Sequence, residues 1–316
     1  MTGHVVEVPG RDDVAAAAAR IEAGIRRTPV IEPGRDFFDA AAPDAVLKLE
    51  LLQHTGSFKP RGALHRALTS EIPATGLIAA SGGNHGLAVA WVARRLAVPA
   101  EIFVPEVSPA TKVAKLRTLG ATVNVVGALY DDALAACRQR QAETGALDIH
   151  AYDHPGTIAG AGTIAMEIDE QTGGVDTVLV SLGGGGLSSG VAAWCGTDTR
   201  VVVVEPASSQ CFAAAVDAGE PVDVDVGGVA ADSLGARRIG TSNWATLQAA
   251  RARSVTVSDD AIRAAQRRFW SDLQLIVEPG GAAAAAAVWS GAYRPEAGER
   301  VAVIVCGANC DPNSVL

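Results

Sequence analysis

Short apolar runs alternate along the chain with longer segments that repeat apolar residues every three or four positions. The runs at 76–80 (GLIAA), 101–104 (EIFV), 122–126 (TVNVV), 176–182 (DTVLVSL), 200–205 (RVVVVE), 255–257 (VTV) and 300–306 (RVAVIVC) predict strands. They are continuous, not alternating, as expected of strands covered on both faces in a parallel sheet. The segments 86–97, 109–120, 132–145, 157–174, 187–195, 208–219 and 259–273 predict helices. Glycine closes the helices at 132–145 and 157–174, and Asp259 and Asp260 open the last one, as C-caps and the helix dipole favour. Alanine runs at 15–19 and 282–287 read as helix interiors. Repeated strand–helix units predict an α/β fold with doubly wound, mostly parallel sheets. The stretch 219–254 breaks the rhythm and reads as a long functional loop with short helical pieces.

Composition narrows the class. The 316 residues suffice for two domains of about 150 residues or one large α/β unit. With 48% hydrophobic and 19% charged residues, a sizeable core is expected and disorder is not. A net charge of −9 with no basic run speaks against nucleic acid or an anionic membrane surface as partner. No apolar stretch approaches the ~20 residues of a membrane span. The opening MTGHVVEVPGRDD has no basic segment leading into an apolar one, so no secretory leader is read. Five cysteines (137, 195, 211, 306, 310) are scattered and odd in number, which fits reduced thiols and a cytoplasmic location.

In open parallel sheets, ligands collect outside the carboxyl ends of the strands. Three small-residue turns follow predicted strands: SGGNHG (81–86), GGGGL (183–187) and CGAN (306–309). They are expected to line one edge of the sheet. GGGGL opens a helix, so its N–H groups can form an anion nest with no Cβ to block approach, which is a phosphate site. Its spacing is not that of a dinucleotide fingerprint. GAGTIA (160–165) has that spacing, but no strand leads into it and no ribose-binding acid follows. Lys59 lies in TGSFKPRG (55–62), between an aromatic and a proline in a run of turn formers. A fixed amine together with a nest for one phosphate suggests pyridoxal phosphate, with Phe58 available to cover a ring face.

GSFKPRGA, SGGNHG, GGGGL and CGAN, in this order, resemble the serine/threonine dehydratase family of fold-type II pyridoxal-phosphate enzymes, whose relatives include serine racemase and the tryptophan synthase β chain. The resemblance spans residues 20–312, and DHPGTIAGAGTIAMEI (153–168) resembles the threonine dehydratase branch. It implies two doubly wound domains with the cofactor in the cleft between them. The larger, cofactor-binding domain would comprise 1–50 plus 149–316, and the smaller, substrate-loop domain 51–148. It also implies a homodimer.

By the same resemblance Lys59 would be the Schiff-base lysine and would take the Cα proton. Asn84 would hydrogen-bond the ring hydroxyl. Gly183, Gly184, Gly185, Gly186 and Leu187 would hold the phosphate. Ser81, Gly82, Gly83, Asn84 and His85 would hold the substrate carboxylate, His85 through its backbone and not its imidazole. Cys306 would face the pyridine nitrogen, and a neutral thiol there favours loss of a β leaving group over reprotonation. The implied reaction is α,β-elimination from a β-hydroxy amino acid, L-threonine or L-serine foremost, giving a 2-oxo acid and ammonia. The alternatives are a serine racemase-like isomerase and a dehydratase of another substrate such as 3-hydroxyaspartate. Racemases of the family carry serine where this chain has Gly82, which favours elimination. Metal-dependent relatives pair a Glu with a later Asp. Glu205 matches the first, but Cys211 stands at the second, so no metal of that kind is expected. Ser233 is a candidate contact to substrate or cofactor, and Arg237 and Arg238 either meet a second carboxylate or form surface pairs.

Overall fold

The computed structural model describes residues 6–42 and 44–315, so the first five residues of the stretch read for a leader lie outside it. The strands are β1 (Val30–Ile31), β2 (Val46–Lys48), β3 (Leu77–Ala80), β4 (Ala100–Val104), β5 (Thr122–Val125), β6 (Leu147–Asp148), β7 (Thr177–Ser181), β8 (Arg200–Pro206), β9 (Arg253–Val257) and β10 (Val301–Ile304). They form two sheets, one of six strands in the order β1-β2-β10-β7-β8-β9 and one of four in the order β5-β4-β3-β6. Every pairing is parallel except that of β1 with β2. The chain is thus an α/β protein of two domains. No helix among the described residues is long and apolar enough to cross a membrane.

The continuous apolar runs have the cause expected of them. On one face of the larger sheet, Leu179, Val202, Val204 and Val303 pack with Ala282 to Ala287 of helix Pro279–Trp289. On the other face, Val178, Val180, Val201 and Val203 pack with Leu187, Val191 and Ala192 of helix Gly186–Cys195. Each such buried aliphatic side chain contributes roughly 1.5–3 kcal/mol. The alanine run keeps its helix flat against the sheet because no long side chain holds it off. The fingerprint-like GAGTIA serves helix packing instead: a Cβ on Gly160 would stand 2.6 Å from the Arg61 carbonyl, and one on Gly162 2.7 Å from that of Gly190.

Two expectations need correction. The three turns do not share one sheet edge. SGGNHG follows β3 in the four-stranded sheet, whereas GGGGL and CGAN follow β7 and β10 in the six-stranded one. The run TGSFKPRG is also not merely a turn, because Lys59 is the first residue of helix Lys59–Leu68. Pro60 sits in its first turn, where the missing N–H would be unpaired anyway. The 219–254 stretch does contain short helices, Ala231–Leu234 and Thr241–Ala249.

Candidate active site

Lys59 is held at both ends of its approach. The Phe58 N–H donates to the Cys306 carbonyl at 3.1 Å, and Ser57 bridges to Gly307, so the turn is stitched to the end of β10. The Lys59 amine donates to the Ala151 carbonyl at 2.8 Å and lies 5.1 Å from the centre of the Phe58 ring. No carboxylate pairs with it among the described residues. Burial pushes its pKa down to about 8, opposed only partly by Cys306 and Glu278. Lys59, Phe58, Asn84, the Gly183–Leu187 turn and Cys306 line one cavity between the two sheets.

The glycine turn is a cradle that only glycine can build. Gly185 has φ +105°, and a Cβ there would meet Asn243 Cβ at 2.7 Å. A Cβ on Gly184 would lie 2.4 Å from the Tyr152 ring. Gly186 then starts helix Gly186–Cys195, whose dipole and free N–H groups favour an anion.

Asn84 begins helix Asn84–Leu96, and its amide is oriented by two residues of the other domain. Its Nδ2 donates to Glu278 Oε1 at 2.6 Å, and its Oδ1 accepts from Asn309 Nδ2 at 2.7 Å. One Nδ2 hydrogen of Asn84 is left over for a ligand. Asn309 is held in turn: its N–H donates to Glu278 Oε2 at 3.1 Å, its Nδ2 also to the Thr55 carbonyl at 2.7 Å, and Lys115 donates to its Oδ1 at 2.6 Å. Burial raises the Glu278 carboxyl to about 7. Glu278 went unread in the sequence. Its signal was a carboxylate wedged in VEPGG, between an apolar run and an alanine helix.

The remaining expected residues are distributed as follows. Gly82, Gly83 and Asn84 face a wider cleft of about 1180 Å³ outside the cavity, and Ser81 Oγ accepts from the Gly83 N–H at 3.3 Å. The His85 ring is buried and donates from Nε2 to the Ile149 carbonyl at 2.6 Å. Burial and the Lys59 charge push its pKa down to about 3. The Cys306 thiol is buried and directed at the Gly280 carbonyl, 3.5 Å away, and burial keeps it protonated. Ser233 lines both cavity and cleft. Arg238 forms an exposed ion pair with Asp223 at 3.0 Å. Glu205, raised to about 7 by burial, accepts from the N–H groups of Phe212 (2.8 Å) and Ala213 (2.9 Å).

These residues suit pyridoxal phosphate: an amine without a counter-ion, a cradle that excludes Cβ atoms, and a buried, unpartnered Ser181 hydroxyl on the cavity wall. The fold is that of fold-type II pyridoxal-phosphate enzymes. The chain belongs to the pyridoxal-phosphate dependent enzyme family, whose model matches residues 21–307. It is 34% identical to the phenylserine dehydratase of Ralstonia pickettii, over 96% of this chain and 94% of that one. It is 38% identical to the biosynthetic L-threonine dehydratase IlvA of Escherichia coli over 84% of this chain, but spans only about half of that protein (52%). Among solved structures, maize serine racemase superposes with a TM-score of 0.91 at 30% identity, covering 98% of this chain and 96% of its own.

Proposed function

We propose that this pyridoxal-phosphate-dependent dehydratase removes water from a β-hydroxy amino acid, L-threonine or L-serine foremost, and releases a 2-oxo acid and ammonia. The observation that carries the reading is the Lys59 amine, which has only a carbonyl for partner and a pKa near 8. Such an amine is partly neutral near neutral pH and can take a proton from Cα. When bound, the cofactor supplies an electron sink for the charge left at Cα. Lys59 would hold it covalently, Gly183 to Leu187 would cradle its phosphate, and the spare Asn84 N–H would meet its ring hydroxyl. Ser81 to His85 would hold the substrate carboxylate from the smaller domain, taken as residues 51–148. Gly82 brings no proton to the opposite face, which supports elimination over racemisation.

A second substrate reading rests on the cleft. Lys115, Arg263 and Arg267 line it, and among the described residues none of them pairs with a carboxylate. A hydroxy amino acid with a second carboxylate, such as 3-hydroxyaspartate, would find cations there. The experiment is to supply L-threonine, L-serine, phenylserine and 3-hydroxyaspartate to the purified protein and measure the oxo acid and the enantiomers. Oxo acid from at least one substrate is expected, and none from Lys59→Ala. Racemisation without oxo acid would overturn the dehydratase reading. A homodimer in the cytoplasm belongs to the proposal and is checked by light scattering and fractionation.

A further inference from the structure

The 219–254 stretch, read from the sequence as a functional loop, sends one side chain behind the glycine cradle. Asn243, in the first turn of helix Thr241–Ala249, is fully buried. Its Nδ2 donates to the Gly184 carbonyl at 3.2 Å and to the Tyr152 carbonyl at 3.3 Å, which uses both of its hydrogens. Its Oδ1 is buried too and has no partner among the described residues. A flipped amide would set that oxygen against two carbonyl oxygens, so the surroundings fix which end donates. A buried acceptor left unpaired costs stability, and a leucine would fill the same space without that cost. What the amide provides in return is the pair of bonds from its nitrogen.

The first of those bonds bears on the cofactor's phosphate. In a trans peptide the carbonyl and the following N–H point in opposite directions. The Gly184 carbonyl faces Asn243 Nδ2 and the Gly240 N–H (3.2 Å), and neither of these residues lines the cofactor cavity. The Gly185 N–H, on the same peptide, therefore points the other way, towards the cavity that Gly184 and Gly185 line. It has no acceptor among the described residues. The second bond, to Tyr152, keeps the amide from turning away. The helix that carries Asn243 is anchored as well. Asp153 accepts from the N–H groups of Thr241 and Ser242 at 3.0 Å each, and the Asn243 carbonyl accepts from Ser189 Oγ at 3.2 Å. We infer that Asn243 is a positioning residue for the cofactor phosphate: from outside the cavity it holds the Gly184–Gly185 peptide so that its N–H meets the phosphate.

The inference rests on assigning this cavity to the cofactor, which Lys59→Ala tests separately by loss of the visible absorbance band. For the inference itself, the parent and Asn243→Leu are freed of cofactor by dialysis. Each is then titrated in equilibrium dialysis with pyridoxal phosphate and with pyridoxal, which lacks the phosphate. The ratio of the two affinities isolates what the phosphate contributes. Asn243→Leu should lose about tenfold in affinity for pyridoxal phosphate and less than about twofold for pyridoxal. A residue that merely supports the fold would weaken both ligands alike and leave the ratio unchanged, and that result would overturn the inference. So would parental affinity for both ligands. If Asn243→Leu does not fold, Asn243→Ala decides by the same ratio, a fall supporting the inference and a parental value overturning it.

Discussion

Two buried polar clusters lie two residues apart on one helix and behave in opposite ways. Arg61, fully buried, donates to both oxygens of Glu50 (2.8 Å each), to both of Glu167 (2.7 and 2.9 Å) and to Thr163 Oγ1 at 3.1 Å. Lys48 adds bonds to Glu167 at 2.5 Å, to Gln171 at 2.8 Å and to the Thr28 carbonyl at 2.9 Å. Two cations meet two carboxylates, and the formal charges cancel. At Arg61 and Glu167 the pairing outweighs burial: Arg61 is held protonated, and Arg61 and Lys48 keep the Glu167 carboxyl below its usual range, whereas burial still lowers the Lys48 amine despite its pairing with Glu167. Lys59 is half-buried in the same helical turn with only a carbonyl, and the buried Glu278 has only amides. There burial wins, bringing the amine down to about 8 and the carboxyl up to about 7. Burial with a counter-ion makes structure, and burial without one makes groups that exchange protons near neutral pH.

That contrast can be broken at either cluster. Lys59→Ala should cost at least about a thousandfold in kcat/KM, roughly 4 kcal/mol of barrier, while the melting temperature stays level because no ion pair is lost. Steady-state oxo-acid formation and a thermal melt check both halves, and activity within tenfold of the parent would end the assignment. Arg61→Met should do the reverse. It leaves the buried Glu50 without a cation and Glu167 with Lys48 alone, and should cost about 3–5 kcal/mol in denaturant unfolding, with a smaller effect on turnover per folded molecule. A loss below about 1 kcal/mol would mean the cluster is not compensated as described.

Titration sharpens the comparison. Glu278 has its folded pKa raised above the usual 4.5, so the folded state binds its proton more tightly. Its contribution to stability is full below about 4.5 and is lost as pH rises through about 7. Between pH 5 and 8 the parent should therefore fall in melting temperature relative to Glu278→Gln, by the equivalent of up to about 3 kcal/mol. Glu167 has its folded pKa lowered, so its contribution is present above the usual carboxylate value and is lost as pH falls below it. Opposite pH slopes for Glu278→Gln and Glu167→Gln are the expected result, and parallel slopes would refute it. The smallest effect on stability is expected at Gly82→Ser. A Cβ there meets Val104 Cγ1 at 3.4 Å and Ser108 Oγ at 3.5 Å, ordinary contact, so stability should change by less than about 0.5 kcal/mol. Chiral chromatography should then detect substrate racemisation that the parent lacks.

Much of this was legible in the chain. Strands such as β7 and β8 were plain because burial on both faces makes every position apolar. The two-residue strands β1 and β6 were not, since two residues carry no period. The helix at Lys59 was hidden by Ser, Pro and Gly, which read as a turn until packing on the neighbouring helix is known. Glu278 escaped for a different reason. Its partner Asn84 lies 194 positions away, and no local pattern records that pairing.

By itself, then, the sequence determined the local conformations and the chemical inventory: buried strands, an anion-binding glycine turn, and an amine in a constrained setting. The tertiary structure decided that these parts belong to two sheets, that Lys59 has no counter-ion among the described residues while Arg61 has two, and that Asn84 is oriented from the other domain. The physical reason is that backbone preference and periodicity act over a few residues, whereas desolvation and charge pairing depend on whatever the fold brings alongside.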